Sequence, residues 1–172
     1  LNVFGKVNAE NTVREAFSEA FVEKLTISKS TKLLQAEVLS KSLIPTKYKA
    51  LMEKAIFDTI NAANEVKIRI KYDIEDKSPR TAFDFIWKDA ACQLSNESPV
   101  CGCIFDDCEI KEEKGKILIL TGHNAAFYLY KKGADKYIEE RIKDETGVNV
   151  SIMFKNKKLS EEELKEYDEK HL

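Results

Sequence analysis

From Val66 to Tyr72 the chain alternates without a break, with Val66, Ile68, Ile70 and Tyr72 on one side and Lys67, Arg69 and Lys71 on the other. A period of two over a run of this length marks a strand with one face buried and the other in water. Such a strand needs partner strands, and a second layer has to cover its apolar face. The residues before it supply both. Val22 to Ser28, where Leu25 and Ile27 alternate with Lys24, Thr26 and Ser28, predicts one strand. Lys32 to Leu39 predicts another, joined to the first by a hairpin turn at Ser28-Lys29-Ser30-Thr31. Pro45 suits the first turn of a helix, and Tyr48, Leu51, Met52, Ala55, Ile56 and Thr59 follow it at three- and four-residue steps. A shorter helix comes first: Thr12 and Glu15 have capping-box spacing, with Val13, Ala16, Phe17 and Ala20 as its apolar face.

The order α-β-β-α-β then recurs. It restarts at Asp76-Lys77-Ser78-Pro79, where Ser78 reads as an N-cap and Pro79 as the first helical residue. Phe83, Ile86, Trp87, Ala90, Ala91 and Leu94 share one face of the helix that follows. Phe105 to Glu112 and Lys116 to Thr121 predict two strands around a turn at Lys114-Gly115. One long helix is expected from about Asn124 to Glu145, with Phe127, Tyr130, Ala134, Ile138 and Ile142 inward and Gly147 at its C-terminal cap. Val148, Val150, Ile152 and Phe154 predict the closing strand. The fold class is therefore α+β, with two tandem small α-β-β-α-β modules at 1–76 and 77–158. Each is a three-stranded sheet with helices packed on one face. A charged helical tail follows at 159–172, opened by a capping box of Ser160 and Glu163. The halves share no evident sequence identity, so the echo is one of architecture.

Charge divides unevenly along the chain. Residues 1–76 carry 12 basic and 11 acidic side chains (+1), residues 77–159 carry 14 and 13 (+1), and residues 160–172 carry 2 and 6 (−4). The acidity belongs to the tail, and neither module has the basic excess that announces nucleic acid. No apolar run is long enough to span a membrane and there is no signal-peptide pattern, which predicts a cytoplasmic protein. Leu1 in place of Met and the charged run at the other end predict a piece of a longer chain.

Several features together resemble the N-terminal segment of PolC-type DNA polymerase III, the replicative polymerase of low-GC Gram-positive bacteria. They are the run Val22 to Lys29, Leu43-Ile44-Pro45 at a helix start, and Val66 to Tyr72. The second half adds Ile86-Trp87, Lys116 to Leu120, Leu129-Tyr130-Lys131-Lys132 and Gly147. The tail from Glu161 to Lys170 looks like the connector to that family's OB-fold domain. The resemblance implies a parent DNA-directed DNA polymerase with a 3′–5′ exonuclease, neither active site lying in this segment. It also implies a first module similar to the polymerase-binding domain of the clamp-loader tau subunit. The expected role is protein contact within the replisome, with the clamp loader or helicase machinery as partner.

The residues themselves carry no catalytic constellation. Cys92, Cys101, Cys103 and Cys108 are enough in number for zinc, but a single-residue gap at Cys101-Gly102-Cys103 departs from paired C-x₂₋₄-C knuckles. Free thiols are the expectation, with no metal and no cofactor. His123 reads as part of a helix start beside Asn124, and His171 lies in the tail; neither completes a nucleophile-base pair. Carboxylates fall beside lysines on exposed helix faces. No G-x-G-x-x-G, Walker or GXXG pattern cradles phosphate, although an α-β-β-α-β order is reminiscent of KH-like folds. Two sets of candidates remain. Lys67, Arg69 and Lys71, joined by Lys24 from a neighbouring strand, form a stripe able to meet single-stranded DNA. Phe57 and Phe85 point away from the apolar stripes of their helices and are candidates for a protein contact or for packing between the modules.

Overall fold

The computed structural model of the chain describes residues 3–158 apart from Asn61 and His123. The alternating run lies in strand β3, Glu65–Tyr72, where Val66, Ile68, Ile70 and Tyr72 are buried and the residues between them exposed. It pairs in parallel with β2, Leu33–Ser40, which pairs antiparallel with β1, Phe21–Ile27, so the sheet order is β1-β2-β3. The β1–β2 turn is closed by Ser28 N–H donating to Leu33 O at 2.9 Å, with Lys32 at a positive φ of 52°. A parallel β2–β3 pair needs a crossover. Helix α2, Thr46–Thr59, supplies it and packs Met52 into the core against β3. Helix α1, Asn11–Ala16, packs on α2.

The second half repeats the plan with additions. Helix α3, Pro79–Glu97, is capped by Ser78, whose hydroxyl accepts Thr81 N–H at 3.2 Å. Next come helix α4, Pro99–Asp106, strands β4, Glu109–Glu113, and β5, Lys116–Thr121, helices α5, Ala125–Lys131, and α6, Ala134–Thr146, and strand β6, Ile152–Asn156. The sheet order is β4-β5-β6, antiparallel then parallel, as in the first sheet. The chain is thus α+β, with two three-stranded sheets and their helices. The 159–172 tail and its Ser160/Glu163 box lie outside the described residues.

Several expectations are corrected. Thr12 lies inside α1, whose N-cap position is Glu10, so no Thr12/Glu15 box forms. Pro45 takes the N-cap position of α2 instead of its first turn. Phe105 and the residues before it form α4, because Pro99 starts a helix after Ser98; Phe105 then sets its ring edge-on to Trp87 at 5.1 Å. The single long helix is two, broken at Gly133, which adopts φ 67°. The break resets the helical phase. Phe127 is 74% and Tyr130 43% exposed, while Ala126 and Leu129 take the inward positions. Val148 and Val150 are buried but precede the ladder of β6.

One continuous apolar cluster runs from Phe4 through both sheets to Phe154. Helix α6 makes this possible by packing on β6, on α3 and also on β3 of the other sheet. On β1 the cover stops short, and Leu25 and Ile27 are 59% and 63% exposed. No helix of the described residues is long and apolar enough to cross a membrane.

Candidate functional site

Two charges sit where apolar residues belong. Asp89 falls between Ile86 and Ala90 on the buried face of α3, and Arg141 between Ile138 and Ile142 on the buried face of α6. A buried charge is tolerated only when paired and hydrogen-bonded. Arg141 Nη2 donates to Asp89 Oδ2 at 2.6 Å and its Nε to Glu145 Oε1 at 3.0 Å, with the Arg141 and Asp89 side chains both 9% exposed. Asp89 also accepts from Thr46, at 2.6 Å from the hydroxyl and 3.2 Å from the backbone N–H. Pro45 has no side chain with which to cap α2, so a carboxylate from α3 caps it across the two halves.

The electrostatics of this cluster are asymmetric. Burial works to raise the Asp89 carboxyl, but hydrogen bonds from Thr46 and Arg141 and the guanidinium charge outweigh it, holding Asp89 below its usual range. Burial prevails at Glu145, whose carboxyl lies above its usual range despite Arg141. Burial also opposes the charge on Arg141, yet Glu145 and Asp89 stabilise the guanidinium further. Nearby, the Tyr72 hydroxyl accepts Ile44 N–H at 3.1 Å and donates to Ile44 O at 3.2 Å, and burial pushes that phenol well up.

Beside this cluster runs a groove of about 470 Å³. One wall is β3 from Ile68 to Tyr72, and the other is Arg141, Asp144 and Glu145 of α6. Lys49 of α2 also lines it. A second hollow of about 460 Å³ extends it past Asp73 to Gly147. The β3 wall is the edge of the sheet. Ile68 N–H points away from β2 and is taken by Glu53 Oε1 at 2.8 Å. Alternation along a regular parallel ladder turns the N–H and C=O of Ile70 the same way.

The predicted basic residues share the outward face of the first sheet. Lys24 stands across Glu37 from Arg69 in register, so a carboxylate separates two of the cations. Lys67 pairs with Glu65 at 3.0 Å, and Arg69 and Lys71 border the groove. Phe57 is 44% exposed on α2. Phe85 is partly buried, its ring 5.0 Å from Tyr72, in the joint between the halves. The four cysteines are free: Cys101 is buried, Cys108 half-buried, and Cys92 and Cys103 exposed. Among the described residues no group of three or more His, Cys, Asp or Glu could hold a metal ion. Both histidines fall outside the described residues.

Sequence reading passed over Asp89, Arg141 and Glu53. The signal was present for the first two, as charges inside apolar stripes; Glu53 carried none.

Two family models match the chain. DNA polymerase III polC-type N-terminus I covers residues 2–70, and DNA polymerase III polC-type N-terminus II covers residues 86–172. No curated protein and no solved structure matches.

Proposed function

The chain belongs to the PolC-type DNA polymerase III N-terminus family, and from that premise we propose that it is a non-catalytic, protein-binding segment of a replicative polymerase. Its parent would be a cytoplasmic DNA-directed DNA polymerase with a 3′–5′ exonuclease, and its partners the clamp loader or helicase machinery. The observation that carries this reading is the groove beside β3, where a sheet edge and charged side chains face solvent together. The groups with perturbed acidity, where catalysis would be sought, are engaged in architecture instead: Asp89 caps α2 and Arg141 ties α3 to α6. Phe57 adds an exposed aromatic on the adjoining helix. Cross-linking of the full-length polymerase with clamp-loader and helicase proteins tests the proposal. Links from Lys49, Lys54 or Lys71 to a replication protein are expected. Links confined to other domains of the polymerase would count decisively against it.

A second reading, single-stranded DNA binding, rests on Lys24, Lys67, Arg69 and Lys71 sharing one exposed sheet face. It requires affinity that falls steeply with salt and with charge reversal at those residues. The interposed Glu37 and the Lys67–Glu65 pair weigh against it.

A further inference from the structure

The two sheets treat their outer edges differently. On β6 two edge-facing amides are satisfied from within: Ile152 N–H by Glu139 Oε1 at 2.9 Å and Phe154 N–H by the Tyr130 hydroxyl at 2.9 Å. On β3 Ile68 N–H is satisfied in the same way, by Glu53 at 2.8 Å. The next, Ile70, is the counterpart of Phe154, and among the described residues no side chain takes its N–H. It opens into the groove instead.

The charges on the groove walls point to what it would hold. The flanking cations Lys49, Arg69 and Lys71 outnumber the acids Asp144 and Glu145 on the groove walls, so the groove favours an acidic occupant.

We infer that the groove beside β3 binds a short acidic peptide segment in extended form, added to the sheet edge as a fourth strand. This deepens the protein-binding reading and rests on it. Ile70 offers a donor and an acceptor side by side, which matches another peptide backbone. A phosphodiester would match the donor only and would meet the Ile70 carbonyl, Asp144 and Glu145 as repelling groups. The β3 wall, from Ile68 through Asp73 in the two adjoining hollows, is long enough for about five or six extended residues at roughly 3.3 Å each. Backbone pairing at Ile70 fixes register, and carboxylates on the segment meet Lys49, Arg69 or Lys71.

The test is an amide NMR titration of the whole chain with an acetylated, amidated hexapeptide of alternating valine and glutamate. Two controls run beside it: the same peptide N-methylated at alternate residues, and a short oligo-dT strand. Shifts centred on Ile68, Ile70 and Tyr72, slower hydrogen exchange at Ile70, and about tenfold or greater weakening by R69E/K71E and by N-methylation are expected. Those two substitutions lie on the exposed face of β3 and leave the core intact. No shift at Ile70 at low salt, equal binding of the N-methylated peptide, or oligo-dT moving the same amides as strongly would each overturn the assignment. Any of these with the replication-protein cross-links still present would leave the wider reading standing. Peptide binding without those links would remove the wider reading alone.

Discussion

Asp89 and Arg141 meet at 2.6 Å between α3 and α6, and the same carboxylate oxygen takes the Thr46 hydroxyl, so one side chain fastens three helices. Removing its charge should be expensive. Asp89→Asn leaves Arg141 with only Glu145 as counter-charge and weakens the cap on α2. The expected loss is about 3 kcal/mol, the scale of a broken buried ion pair, read as a lower urea midpoint. A loss under about 0.5 kcal/mol, the level of an unremarkable surface substitution, would show that the cluster does not hold the halves together.

The two carboxylates on Arg141 should respond to acid in opposite senses. Asp89 is held below its ordinary value, so its contribution is complete above about pH 4 and is lost as pH falls through the folded value. Glu145 is raised, so the folded state binds its proton more tightly. Its ionisation costs stability at neutral pH, and the cost is relieved as pH falls through the raised value toward about 4.3, the ordinary one. The urea midpoint of wild type relative to Glu145→Gln should therefore improve on mild acidification. Relative to Asp89→Asn it should decline below about pH 4. Parallel curves for the three proteins would remove both assignments.

Much of this fold is legible in the chain because solvent and core impose a period. The alternation from Val66 to Tyr72 fixes β3, and Ser78-Pro79 fixes the start of α3, since a local rule decides each. What stayed hidden was decided at a distance. Asp89 and Arg141 are visible as charges in apolar stripes, but their pairing depends on two helices fifty residues apart in sequence meeting. The groove depends on which strand is left at an edge, a property of sheet order that no strand records in itself. The missed α4 has another cause: Pro99 to Asp106 is short, apolar and cysteine-rich, too brief for helical periodicity to separate from a buried strand.

Gly133 shows how one residue overrode a periodic signal. Apolar residues at helical spacing run through it, yet it sits at φ 67° and divides α5 from α6. A Cβ there would meet nothing within 4 Å, so the cost of a side chain is purely conformational. Gly133→Ala should lose about 1 kcal/mol by urea denaturation. A stabilised variant would mean that the two helices prefer to be continuous.

The edge carboxylates make a paired prediction. Glu53 and Glu139 each accept one strand amide, from Ile68 and Ile152. Glu53→Ala should speed hydrogen exchange at Ile68, and Glu139→Ala at Ile152, by roughly tenfold each, for loss of a bond worth about 1.5 kcal/mol. Neither should change the other's amide. Exchange that rises equally across both sheets would indicate general destabilisation and no local cap.

On β1, alternation and burial part company, and substitution can read the difference. Leu25 and Ile27 alternate as a half-buried strand should, and they lie opposite Ala36 and Leu34, which are buried. Yet both are more than half exposed, because α1 packs on α2 and the helical layer does not reach over them. Leu25→Thr and Ile27→Thr should each cost under about 0.5 kcal/mol, as exposed positions do, because β-branched threonine is itself suited to a strand. Ile68→Ala, in the covered part of the same sheet at 2% exposure, should cost at least about 2 kcal/mol. Urea denaturation of the three variants separates the cases. If the β1 substitutions cost as much as the one at Ile68, then Leu25 and Ile27 are covered in solution, and the apolar layer extends further than α1 and α2 carry it.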